Sequence, residues 1–180
     1  AFDLQSEALS AVFEEILRRD EDGAVKTAKR IVNDILAGKA PKEKLVISRT
    51  VKPERNYVNP ERMVNVLVSR KLKEMGYEFV PGMKVSWIVT DSKKTPQEVE
   101  PYIDGRDFES EPDWGYYAKR VATTIARVTE VFGWDEKSLL GGMQQKTLFS
   151  HDFEKAPKTK DKEKRKPKKT EKKLKLDDFL

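Results

Sequence analysis

The sequence predicts an α+β protein, mainly α with short β-strands, that ends in a charged tail. Apolar residues recur at helical spacing over several long stretches, and two short β-branched runs lie between turns marked by Gly and Pro. From Glu154 to Lys173 almost nothing is apolar. That composition cannot bury enough surface to offset the entropy of ordering, so a disordered segment is expected there.

Residues 2–18 place Leu4, Ala8, Leu9, Val12, Phe13, Ile16 and Leu17 on one helical face. Gly23 is read as the entry to a second amphipathic helix, striped by Val25, Ala28, Ile31, Val32, Ile35 and Leu36 and stopped by Gly38 and Pro41. Two such helices joined by a short charged turn form an antiparallel hairpin, and their apolar faces must cover each other or a third element. The β-branched run at 45–51 reads as a strand. Asn59 and Pro60 supply an N-cap and a first-turn proline for a helix to about Met75, closed by Gly76. Lys84–Thr90 is a second strand. The polar stretch 91–112, punctuated by Pro96, Pro101, Gly105 and Pro112, reads as an ordered loop or flap. Helical spacing returns from Asp113 to about Phe132, with Tyr117, Val121, Ile125 and Val128 on one side; Gly133 ends it, and a short helix is expected at 135–140.

The 180 residues suit one compact domain plus a tail. The net charge of +5 is unevenly placed: residues 154–173 hold eleven Lys or Arg against four Asp or Glu, and by difference residues 1–153 carry about −1. The basic character belongs to the tail, so electrostatics does not by itself require the domain to bind nucleic acid. The absence of Cys excludes disulfides and thiolate metal sites and suits an intracellular chain. No apolar run approaches the roughly 20 residues a bilayer requires, and no membrane partner is expected. The opening AFDLQSEALSAVF shows no basic segment followed by an apolar block, so no secretory signal is read there. It also lacks Met, as in a processed chain or one cut from something longer.

Nothing in the chain reads as a catalytic or metal centre. Two-metal nucleotidyl transfer needs two carboxylates a few ångströms apart; Thr90-Asp91-Ser92 offers one, with Val89 where a preceding acid would stand, and a surface turn is the plainer reading. His151, the only histidine, has no second His or Cys beside it, and Gly141-Gly142 precedes no phosphate-loop Lys-Ser/Thr pair. More informative is Arg49 to Tyr57, where Arg49, Lys52 and Arg55 leave a strand for a loop that also holds Asn56 and Tyr57. Such groups can hold backbone phosphates without reading bases. A solvated loop remains open beside that reading, because Glu54 offsets one of the three positive charges. At the other extreme, Leu176, Phe179 and Leu180 would share one side of a 3₁₀ turn, an apolar plug for a partner's pocket on a basic tether.

Taken in order, these segments resemble the thumb domain of archaeal family B DNA polymerases over residues 1 to about 148. The likeness is carried by FDLQSEALSAVFEEIL, AVKTAKRIVNDILAG, APKEKLVISRTV, Val51-Lys52-Pro53 with Tyr57, YEFVPGMKVSWIV, Asp113 with Tyr116-Tyr117, and Val131-Phe132-Gly133-Trp134. Val51 replaces the family's usual Thr, and Thr124 stands where the last long helix commonly carries Pro, so its kink is expected to be missing.

The resemblance implies a thumb-like DNA-binding domain at 1–153, a disordered basic linker at 154–173 and a peptide at 174–180 similar to those that bind sliding clamps. It implies contacts to primer–template DNA by Arg49, Lys52, Arg55 and Tyr57, with Lys84, Lys93 and Lys94 as further candidates. The clamp would be met by Lys173, Leu176, Phe179 and Leu180, Lys173 occupying a position normally held by Gln; Gln145–Asp152 is a poorer second match. A large polymerase chain with exonuclease, palm and fingers is the implied partner. No cofactor is expected on this chain, Mg2+ belonging to the palm-bearing one. The implied location is cytoplasmic, at the nucleoid, and the chain is either a fragment or one part of a split enzyme. A free-standing module that recruits a clamp, and a helical interaction domain, are the competing readings.

Overall fold

The structure, a computed structural model, describes residues 1–141. Three helices form one layer: α1 (Asp3–Leu17), α2 (Glu21–Leu36) and α4 (Trp114–Thr129) pack pairwise. The second layer is an antiparallel sheet of β1 (Ile47–Thr50), β2 (Lys84–Asp91) and β3 (Glu98–Pro101) in the order β1-β2-β3, with α3 (Val64–Glu74) packed on β2 and β3. A short α5 (Glu136–Leu139) lies against α4 and α2.

The helical stripes bury where periodicity places them. Ala8 and Val12 of α1, Ala28, Val32 and Ile35 of α2, and Tyr117, Val121 and Ile125 of α4 are all buried. Phe2 meets Tyr117 edge-on at 5.1 Å between ring centroids. The Tyr117 hydroxyl accepts the Val89 backbone N–H at 2.8 Å, which fastens α4 to the central strand. Phe13 and Leu17, expected in the α1 stripe, stay largely exposed.

Four expectations are corrected. The second helix begins at Glu21, not after Gly23: Asp20 is its cap, its carboxylate accepting the Gly23 N–H at 2.7 Å. A Cβ on Gly23 would come within 2.2 Å of that carboxylate, so the glycine clears space for the cap. The first strand is shorter than 45–51, because Lys42–Leu45 winds into a 3₁₀ turn that buries Leu45. Asn59 makes no side-chain cap; Pro60–Arg62 forms a separate 3₁₀ turn, and an extended Met63 (φ −90°, ψ 109°) precedes α3. Within 91–112 lies β3, whose Val99 is buried beside β2. Pro96 and Pro101 read as breakers in sequence, yet an edge strand tolerates proline at its margins.

Asp113 caps α4 by accepting the Tyr116 N–H at 3.0 Å. The helix runs through Thr124 without a break, the Thr124 hydroxyl donating to the Arg120 carbonyl at 3.0 Å. With no proline, the backbone keeps its ladder there.

Candidate nucleic-acid interface

Loop 51–57 leaves β1 beside the start of β2. Val51 extends the pairing: its N–H donates to the Met83 carbonyl at 3.0 Å, and its carbonyl accepts the Gly82 N–H at 2.7 Å. Pro53 then leads into a 3₁₀ turn, Glu54–Asn56. Tyr57 folds back over the loop. Its hydroxyl oxygen accepts the Lys52 backbone N–H at 2.9 Å and the Asn65 Nδ2 at 3.0 Å, while Asn65 also donates to the Thr50 carbonyl at 3.3 Å. Asn65 is a buried polar residue of α3. One side chain thereby ties strand, loop and helix together.

The loop's acid is drawn away from its cations. Arg70 of α3 forks onto Glu54 (2.7–3.2 Å contacts shared with Glu61) and holds both 3₁₀ turns against α3. Those guanidinium hydrogen bonds keep the Glu54 and Glu61 carboxyls below the usual glutamate range. Lys52 and Arg55 are exposed, and among the described residues neither side chain meets a carboxylate.

The other expected contacts are dispersed. Lys84 pairs with Thr50 across the ladder, and Arg49 with Val85. Neighbouring strand positions point to opposite faces, so Lys84 and Arg49 share an end of the sheet but not a face. Arg49 lines a cleft with Arg62, Arg120, Asn65, Trp87 and Gln97. Lys93 and Lys94 follow the far end of β2, roughly 20 Å along an eight-residue strand. There Lys94 is engaged by Glu98, whose hydrogen bond raises the Lys94 pKa, and the Lys93 N–H donates to the Asp91 carboxylate at 2.9 Å. Thr90 and Asp91, expected in a surface turn, instead end β2, where Asp91 pairs with Glu98; the contact to Lys93 turns the chain only after the strand. Arg62 and Arg120 were not anticipated; the only local hint was the four-residue spacing of Tyr116 and Arg120, whose guanidinium donates to the Tyr116 hydroxyl at 2.9 Å. Lys173, Leu176, Phe179 and Leu180, with the linker 154–173 and the peptide 174–180, lie outside the described residues.

No family model matches the chain. Over 130 residues it is 29% identical to DNA polymerase 2 of Aeropyrum pernix, a match covering 71% of this chain and 16% of that protein. Over 144 residues it is 28% identical to a DNA polymerase of Thermococcus aggregans, covering 76% of this chain and 8% of the other. The family B DNA polymerase structure from the hyperthermophilic archaeon Pyrobaculum calidifontis superposes with a TM-score of 0.58 at 26% identity, over 72% of this chain and 18% of that one. The α+β fold and these likenesses define a DNA-polymerase-related domain. More particularly, the chain is similar to archaeal family B DNA polymerases and spans less than a fifth of the length of each relative it matches.

Proposed function

We propose that this chain is the thumb portion of a family B DNA-directed DNA polymerase, which grips primer–template duplex while a larger chain bearing exonuclease, palm and fingers adds nucleotides. The observation that carries this is the braced loop 51–57, whose Lys52 and Arg55 stand exposed and unpaired among the described residues while Glu54 is turned onto Arg70. Similarity to polymerases over most of the chain supports it. Cations of this kind hold phosphates of any sequence, and counterion release makes the grip salt-dependent.

Among the described residues the carboxylates nearest a polymerase-like turn are already engaged. The Asp91 carboxylate accepts the Lys93 N–H and Glu98 holds Lys94. Among the described residues no three His, Cys, Asp or Glu gather closely enough to hold an ion. We propose that Mg2+ is held by the palm-bearing chain and that this chain alone is inactive. Uniform grip on the product duplex is not transition-state stabilisation, so the chain would govern retention more than the chemical step.

Lys173, Leu176, Phe179 and Leu180 are proposed to engage a sliding clamp, with 154–173 as a tether that raises the local concentration of the enzyme at the clamp. Such work belongs at the nucleoid. Primer extension by this chain, by the palm-bearing chain and by their mixture tests the proposal. Longer products from the mixture than from the large chain, and none from this chain, are expected; synthesis by this chain free of any partner overturns it.

A further inference from the structure

The cleft beside loop 51–57 has a composition of its own. Arg49 comes from β1, Arg62 from the Pro60–Arg62 turn and Arg120 from α4, and among the described residues no Asp or Glu lines it. Trp87, which also lines it, is 4% exposed, and its buried indole N–H meets no acceptor among the described residues. A buried donor left unpaired is costly, and native proteins rarely keep one without a reason. Arg49 and Arg62 are exposed and pair with no carboxylate among the described residues. Arg120 donates to the Tyr116 hydroxyl, and its guanidinium carbon lies 5.6 Å from the ring centroids of both Phe2 and Tyr116, so aromatic faces hold it in place. Three like charges around one cleft repel each other, and an anion with several acceptor oxygens removes that repulsion.

We propose that this cleft is a phosphate site, in which Arg49, Arg62 and Arg120 hold the oxygens of one phosphate group beside the Trp87 ring that lines it. The choice of phosphate over other anions rests on the nucleic-acid reading above. Cleft and loop share Asn65, which lines the one and, through the Tyr57 hydroxyl, braces the other. The group can come from a nucleic-acid backbone or from free inorganic phosphate, since the recognising chemistry is the same.

Trp87 reports on its own occupancy. Its fluorescence in the full chain, with Trp87→Phe to subtract the other tryptophans, is to be followed during titration with duplex DNA, sodium phosphate or sodium acetate at matched ionic strength. Duplex and phosphate should each shift the emission and compete, and Arg62→Gln should abolish both shifts. In parallel, Arg62→Gln should weaken duplex binding roughly 3- to 10-fold and lower its salt slope by about one. A shift with duplex alone assigns the site to backbone phosphate, and one with phosphate alone to the free anion. Equal response to acetate, or no response except when a palm-bearing chain is added, overturns the proposal in favour of a protein carboxylate. No response to any probe overturns it outright. If Lys52→Ala/Arg55→Ala weakens duplex binding but Arg62→Gln does not, the cleft fails while the grip stands. A phosphate response in a chain that ignores duplex means the reverse.

Discussion

Both ends of the small sheet carry basic residues, but they are built on opposite plans. At the β1 end the backbone is tied down by Tyr57 and Asn65, while among the described residues Lys52 and Arg55 meet no carboxylate. At the far end Lys94 is held by Glu98 and the chain is turned by Asp91 and Asp113. A cation already paired must surrender its partner before it meets a phosphate, so it releases less on binding. On the proposed reading, pairing, more than the number of lysines, would separate a gripping surface from a solvated one.

The largest effect should come from Lys52→Ala/Arg55→Ala: duplex affinity falling about 10- to 100-fold at fixed salt and the log–log salt slope shrinking by about two, alike for unrelated DNA sequences. An unchanged slope, measured by anisotropy across a salt series, would remove the loop from the interface. Asp113→Ala should cost about 0.5–2 kcal/mol of stability at neutral pH by uncapping α4 and freeing the Ser92 N–H it accepts at 2.9 Å. Burial pushes the Asp113 carboxyl up, but the Ser92 and Tyr116 hydrogen bonds outweigh it and leave the group below the usual aspartate range. Its folded-state pKa being depressed, that stability is present above the unfolded value of about 3.9 and is lost as pH falls through the folded value. Denaturation of the two proteins should therefore converge in acid; a gap that persists there would mean that something other than the ionised cap is lost.

Tyr57→Phe leaves the Lys52 N–H and the Asn65 amide without their acceptor and should cost about 1 kcal/mol. It should weaken duplex binding severalfold with the salt slope intact, since no charge is removed; a reduced slope would contradict a bracing role. Smallest of all, Lys94→Ala should change stability by less than about 0.5 kcal/mol, its partner Glu98 being an exposed residue four positions on, at the start of β3. Duplex affinity should stay within about twofold; a loss as large as that at Lys52 would erase the contrast between the two ends.

The helical layer was legible because an amphipathic stripe is a local signal: Ala8, Val12, Val32, Val121 and Ile125 are buried where their spacing puts them. The strand β3 was not, since four residues ending in proline resemble a loop until a neighbouring strand supplies the ladder. Gly23 misled for a related reason, as a glycine that makes room for a cap looks like one that starts a helix. Of the interface, Lys52, Arg55 and Tyr57 lie within one loop and could be read together. The cleft could not: Arg49, Arg62 and Arg120 come from separate elements, and the unmatched Trp87 N–H is a property of burial that no spacing encodes.

The Tyr57 hydroxyl has a polarity that its two incoming N–H groups decide. With both lone pairs spent on Lys52 and Asn65, the oxygen has only its proton left to offer, and no described residue takes it. Whatever settles against this point of the loop must bring an electron-rich atom. An ammonium or amide donor arriving there would find nothing to bond, and the loop turns such visitors away by stereoelectronics rather than by charge.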